Sequence, residues 1–362
     1  MKQKKVYLEW MRVLAIFLVI FNHLPAFSLF MDTQREAERG ISMLVAMFVR
    51  VNVPLFFMVS GAVLLGRQES CRVVLCKRAL RIAAVIFLFS LAIYLYLGLY
   101  YRVYKGWEFD FSVRRFVRGL LAMDLESTET YWFLYAYLGY LLMLPFLRRV
   151  AIGMTRQEFH LLLGLHAVFS SLLPLIDLLL ASLGRPALRV TSLLPVPLAV
   201  EKALFYPLIG YYLDTAVDIR AMRRRDLTRL ALAGLLGLVI ACLCTYAEAA
   251  RTGVYAQSFV TLFDYIAAIA VFLGIKRLVL VSRPGLGQGR PARIICLIGS
   301  LAFGMYLLEP CFKVVFWAPY LHWLSPVLHA YPLTLLWMLV ILPMSGTIVW
   351  LLKKLPVFRK LL

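Results

Sequence analysis

The feature that most constrains this chain is the recurrence of apolar runs about twenty residues long, because one such run crosses a hydrocarbon core as a helix. Ten of them stand at 6–27, 41–65, 82–101, 131–149, 159–182, 196–214, 227–247, 257–276, 294–317 and 332–352. Hydrophobic residues make up 62% of the 362, which excludes an ordinary soluble domain. Membrane β-strands would leave short alternating segments instead. The expected fold class is therefore all-α: a polytopic membrane helical bundle of about ten transmembrane helices, built as a single integral-membrane domain over 1–362.

The net charge of +20 follows the membrane. Counting the N-terminus, alternate loops and the C-terminus together, 25 of the 39 lysines and arginines fall on one side of the expected bundle. That bias predicts that both termini are cytoplasmic, and it assigns the charge to topology, with no nucleic acid as partner. The basic start and the small-residue stretch Ala26-Phe27-Ser28 have the shape of a signal peptide. Cleavage would leave an odd number of spans, so the segment is expected to stay. The six cysteines, at 71, 76, 242, 244, 296 and 311, show no metal-like spacing; they are expected to be free thiols, and no metal is expected.

Polar residues inside apolar runs carry the functional signal, since an ionisable group held in a span is costly. The first run contains Glu9, Arg12, Asn22 and His23. Eleven steps of about 100° bring His23 to within roughly 20° of Arg12, about 16 Å further along the helix. A fixed cation and a proton-transferring group therefore share one face at different depths. The simpler alternative is that Arg12 snorkels to the headgroups and His23 bonds a neighbouring helix. In the second run Arg50 and Asn52 precede Pro54, which should kink the helix, and Ser60-Gly61, which allows close helix approach. This is a packing seam or a cavity wall lined by Arg50.

Arg78 and Arg81 stand three apart at the end of a basic loop, where they share a helical face and suit a phosphate. The positive-inside bias explains them equally well. Residues 102–130 contain Phe111, Val113, Phe116, Val117, Leu120 and Leu121 spaced around Arg114, Arg115 and Arg118, the pattern of a helix lying on the outer surface. The run that follows opens with an aromatic cluster, Tyr131 to Tyr137, in which Trp132 and Tyr135 suit an interfacial belt or stacking on a sugar. Glu309 and Lys313 are an acid and a base at i,i+4. Intramembrane ions and aromatic clusters also suit a transporter or flippase of a polysaccharide or glycolipid precursor, which stands as the alternative function class.

Several of these stretches together resemble the membrane acyltransferases of the acyltransferase 3 type. Arg12 and His23 have that family's Arg-x10-His spacing, Arg50 to Gly61 is similar to its VPLFFMISG segment, and Arg78 and Arg81 match its Arg-x-x-Arg pair. Trp132-Phe133-Leu134-Tyr135 matches its WFLY opening, and Gly299 to Leu308 its late glycine and tyrosine motif. With no hydrolase-like domain after the last run, the chain looks most like the small single-domain type that acetylates enterobacterial common antigen. The resemblance implies an O-acetyltransferase of the bacterial cytoplasmic (inner) membrane. It would use acetyl-CoA as co-substrate, with no permanently bound cofactor, and a cell-envelope carbohydrate or lipid-linked sugar as acceptor. On that reading His23, Arg12 and Glu309 are catalytic, Arg78, Arg81 and Arg12 bind the donor, and Arg50, Asn52, Trp132 and Tyr135 contact the acceptor. One departure stands out: many members carry a histidine directly after the late tyrosine-leucine motif, where this chain has Glu309 and Pro310.

Overall fold

The computed structural model describes residues 5–23, 36–188, 190–253, 259, 261–328 and 330–362. The protein is 83% helical with no strand among the described residues. Its helices are α1 (Val6–His23), α2 (Glu36–Val49), α3 (Asn52–Leu64), α4 (Cys71–Lys105), α5 (Val113–Ala122), α6 (Trp132–Gly153) and α7 (Arg156–Ser182). They continue as α8 (Lys202–Thr215), α9 (Arg224–Thr252), α10 (Asp264–Ser282), α11 (Gly289–Leu324), α12 (Ala330–Leu352) and α13 (Pro356–Leu361). Local chemistry sets several ends: Ser70 and Ser112 cap α4 and α5, Thr155 and Glu158 form a capping box at α7, and Gly253 ends α9 in the left-handed region.

Among the described residues, nine helical segments are long and apolar enough to cross a membrane, α2 and α3 counting as one. The tenth expected span, at 196–214, is instead a short helix at Pro197–Val200, an extended residue at Glu201, and the 14-residue α8. At 1.5 Å per residue α8 is about 21 Å long, short of a hydrocarbon core of about 30 Å. Phe205 to Gly210 are all buried, so its apolar character reflects enclosure by protein. Two further boundaries differ. The second run breaks at Arg50-Val51, and Pro54 falls in the first turn of α3, where its missing N–H costs nothing. The third begins at Cys71 through a π-helical turn, Val74–Ala79, so Arg78 and Arg81 lie inside a helix rather than in a loop.

Contacts divide the chain into two compact units, residues 1–67 with 146–299, and 68–145 with 300–362. In the first unit α3 crosses α8 antiparallel at very short range. A Cβ on Gly61 would strike the Pro207 carbonyl, and one on Gly210 would strike the Met58 carbonyl. Buried Arg148 donates to Leu64 O at 3.0 Å and so closes the C-terminal end of α3. Lys276 closes α8 in the same way, with Nζ 2.7, 3.1 and 2.9 Å from the carbonyls of Leu213, Asp214 and Val217. In the second unit the amphipathic α5 forms where expected, with Phe116 packed against Tyr94 and Leu125 and its three arginines exposed.

Candidate functional site

The first unit carries four of the nine predicted site residues. On α1, Glu9 is buried and accepts a 2.6 Å bond from Arg12 Nη1, an i,i+3 ion pair whose arginine is 28% exposed and whose carboxylate is 4% exposed. A buried carboxylate needs such a partner, and the pair in turn fixes where the guanidinium stands. His23 ends α1 and is half-buried. Arg50 sits at the turn between α2 and α3, and Asn52 is the first residue of α3, where its side-chain oxygen accepts from the Val53 N–H. That bond satisfies one of the donors a helix start leaves open.

Glu9 has a second neighbour. A Cβ on Gly299 would meet its carboxylate oxygen, so the first glycine of the late motif leaves room for the ion pair of α1. Gly299→Ala is expected to displace Glu9, and Arg12 with it, while the far end of a flexible side chain gives way without disrupting the fold. Turnover should fall about ten- to a hundredfold at near-wild-type thermal stability, read in parallel transfer and melting assays.

The second unit holds the other five. Arg78 and Arg81 are brought together in a cavity of about 350 Å³ lined by Glu69, Lys77, Arg78, Arg81, Tyr137 and Leu141 among others. Arg78 is bound bidentately by Glu69, with Nε 2.9 Å from Oε2. Arg81 donates from Nε to Leu361 O at 3.0 Å, and its guanidinium lies 6.0 Å from the Phe303 ring centre. Three cations against one carboxylate leave the lining strongly positive, an environment that draws multiply charged anions.

Elsewhere in this unit two tyrosines exchange hydroxyl bonds between helices. Tyr131 donates to Leu307 O at 2.7 Å, and Tyr306 donates to the Thr130 carbonyl. Glu309, three residues beyond Tyr306 and so on its side of α11, is buried at 1% exposure. Trp132 is 42% exposed at the start of α6. Tyr135 is tied by its hydroxyl to Leu120 O at 2.8 Å, which fastens the amphipathic α5 to α6.

Four residues were given no part in the site from the sequence: Glu9, Glu69, Gly299 and Tyr137. Glu9 stands at i,i+3 from Arg12, a spacing that could have revealed the pair. Glu69 is nine residues from Arg78 across a helix start, where no periodicity applies. Gly299 and Tyr137 come from distant segments. None of the six cysteines is in a disulfide.

Fold and site together define a multi-pass helical membrane protein that holds the Glu9–Arg12 ion pair on its first helix and a cationic cavity in its second unit. A family model described as an acyltransferase domain, of the acyltransferase 3 type, matches residues 5–353, and the chain belongs to that family. It is a membrane acyltransferase. No curated protein and no solved structure matches the chain.

Proposed function

We propose that the protein is an O-acetyltransferase of the bacterial inner membrane. It would move an acetyl group from cytosolic acetyl-CoA to a hydroxyl of a cell-envelope carbohydrate or lipid-linked sugar. The observation that carries this reading is the cavity formed by Lys77, Arg78 and Arg81, whose charge and size suit the phosphates of a CoA thioester. In this mechanism those three side chains hold the donor's phosphates. His23 removes the proton of the attacking hydroxyl as its oxygen bonds the acyl carbon, and the CoA thiolate then leaves and takes up a proton. Arg12, oriented by Glu9 about three turns from His23, adds positive charge for the donor, and Arg50 supplies positive charge for the oxyanion that develops on the carbonyl oxygen. Glu309, standing where many members carry a late histidine, takes an acid/base part. Asn52, Trp132 and Tyr135 contact the sugar, Trp132 by stacking.

The donor assignment is tested by binding. Labelled CoA should bind the purified protein, and Arg81→Gln should weaken it about tenfold or more. A charge-assisted hydrogen bond is worth about 1.5–3 kcal/mol, and 1.4 kcal/mol is a factor of ten. Equal binding by wild type and Arg81→Gln would remove the cavity from the donor site.

A further inference from the structure

The cavity that this reading gives to the donor already contains an anion of the protein's own. Glu69 grips Arg78 through both carboxylate oxygens, and the two side chains are 20% and 27% exposed, so the pair is sheltered from water yet reachable from the cavity. A bidentate guanidinium–carboxylate pair has the same planar geometry that a guanidinium offers to phosphate. Arg81 is held differently: its Nε donates to the neutral carbonyl of Leu361, and among the described residues no carboxylate pairs with its charge.

We propose that Glu69 is an internal stand-in for the donor's phosphate, a specificity-determining residue that Arg78 exchanges for the ligand when the donor enters. This rests on the donor reading above. Three physical steps lead to it. A half-buried guanidinium left without a counter-ion would be costly, so the site without a donor needs an anion. A carboxylate carries one charge, whereas the phosphates of CoA carry several, so the exchange favours a multiply charged ligand. A neutral or singly charged thioester gains too little from Lys77 and Arg81 to displace Glu69. Glu69 thus raises the threshold for entry and makes occupancy depend on phosphate rather than on the acyl arm. It touches Arg78 and no reacting atom, so it acts as a positioning and selectivity residue.

The experiment measures equilibrium binding of CoA and of pantetheine, which lacks the phosphates, to detergent-purified full-length protein. Wild type, Glu69→Gln, Glu69→Asp, Arg78→Gln and the double variant Glu69→Gln/Arg78→Gln are compared. The expected result is that Glu69→Gln tightens CoA about three- to tenfold and leaves pantetheine unchanged, because removing the competitor helps only a ligand that needs Arg78. In the Arg78→Gln background the same substitution should have no effect, a cycle that a purely structural role would not reproduce. Glu69→Asp keeps the charge but shortens the reach, and it should fall between wild type and Glu69→Gln. It also supplies the answer if Glu69→Gln fails to accumulate. If wild type binds CoA and the Glu69 variants bind it equally or more weakly, the stand-in role is wrong and the donor reading survives. If no variant and no wild type binds CoA, the donor reading falls and this inference with it.

Discussion

His23→Ala should abolish acetyl transfer while the protein accumulates and elutes as wild type does. A positioned general base contributes about 10²–10⁴ to rate, so the loss is expected within that range. The histidine is half-buried at the end of α1, where truncation opens no large core cavity, and stability should move little. The pairing three turns earlier behaves otherwise. Glu9 is buried, and taking away Arg12 would leave a carboxylate without its counter-ion, so Arg12→Ala should cost both activity and fold. The two substitutions on one helix are thereby separable: one lowers rate alone, the other lowers rate and yield. Transfer assays run beside size-exclusion profiles distinguish them.

The second large effect belongs to the crossing of α3 and α8. Gly61→Ala and Gly210→Ala each place a methyl group against backbone of the facing helix, at Pro207 and Met58, and neither helix can yield by rotating a side chain. Overpacking a well-filled core costs about 1–3 kcal/mol and more where main chain must move, so each variant should melt well below wild type and lose much of its folded yield. Gly139→Ala and Gly164→Ala are the controls. Among the described residues nothing lies within 4 Å of a Cβ at either position, and alanine has the higher helix propensity, so both should be neutral or slightly stabilising.

What the sequence disclosed and what it hid follow from range. Long apolar runs are local, and nine of the ten expected spans are present as helices because twenty apolar residues admit no other solution in a bilayer. The segment at 196–214 misled because a helix surrounded by protein is as apolar as one surrounded by lipid. Its short length and its packing against α3 separate the two cases. Arg78 and Arg81 read as a loop because basic residues usually mark the membrane edge, yet the π-helical turn carries them into α4. Their shared cavity agrees with the i,i+3 spacing, whereas its acidic member, Glu69, is set by the path of the chain before the helix and left no periodic trace. The glycines of the late motif gain a physical reason only in three dimensions. Gly299 makes room for Glu9, and Gly304 for Val349. Tyr135, expected on a sugar, donates its hydroxyl to Leu120 O, which leaves its ring for the proposed acceptor contact.

The measurement that bears most directly on the whole assignment is release of CoA from labelled acetyl-CoA by the purified protein supplied with envelope glycolipids, for wild type and His23→Ala side by side. The prediction is turnover by wild type, label appearing on the glycolipid fraction, and neither with His23→Ala. Turnover that persists unchanged without His23 would contradict the mechanism, and no turnover by wild type with any envelope acceptor would contradict the acetyl-CoA-dependent function itself.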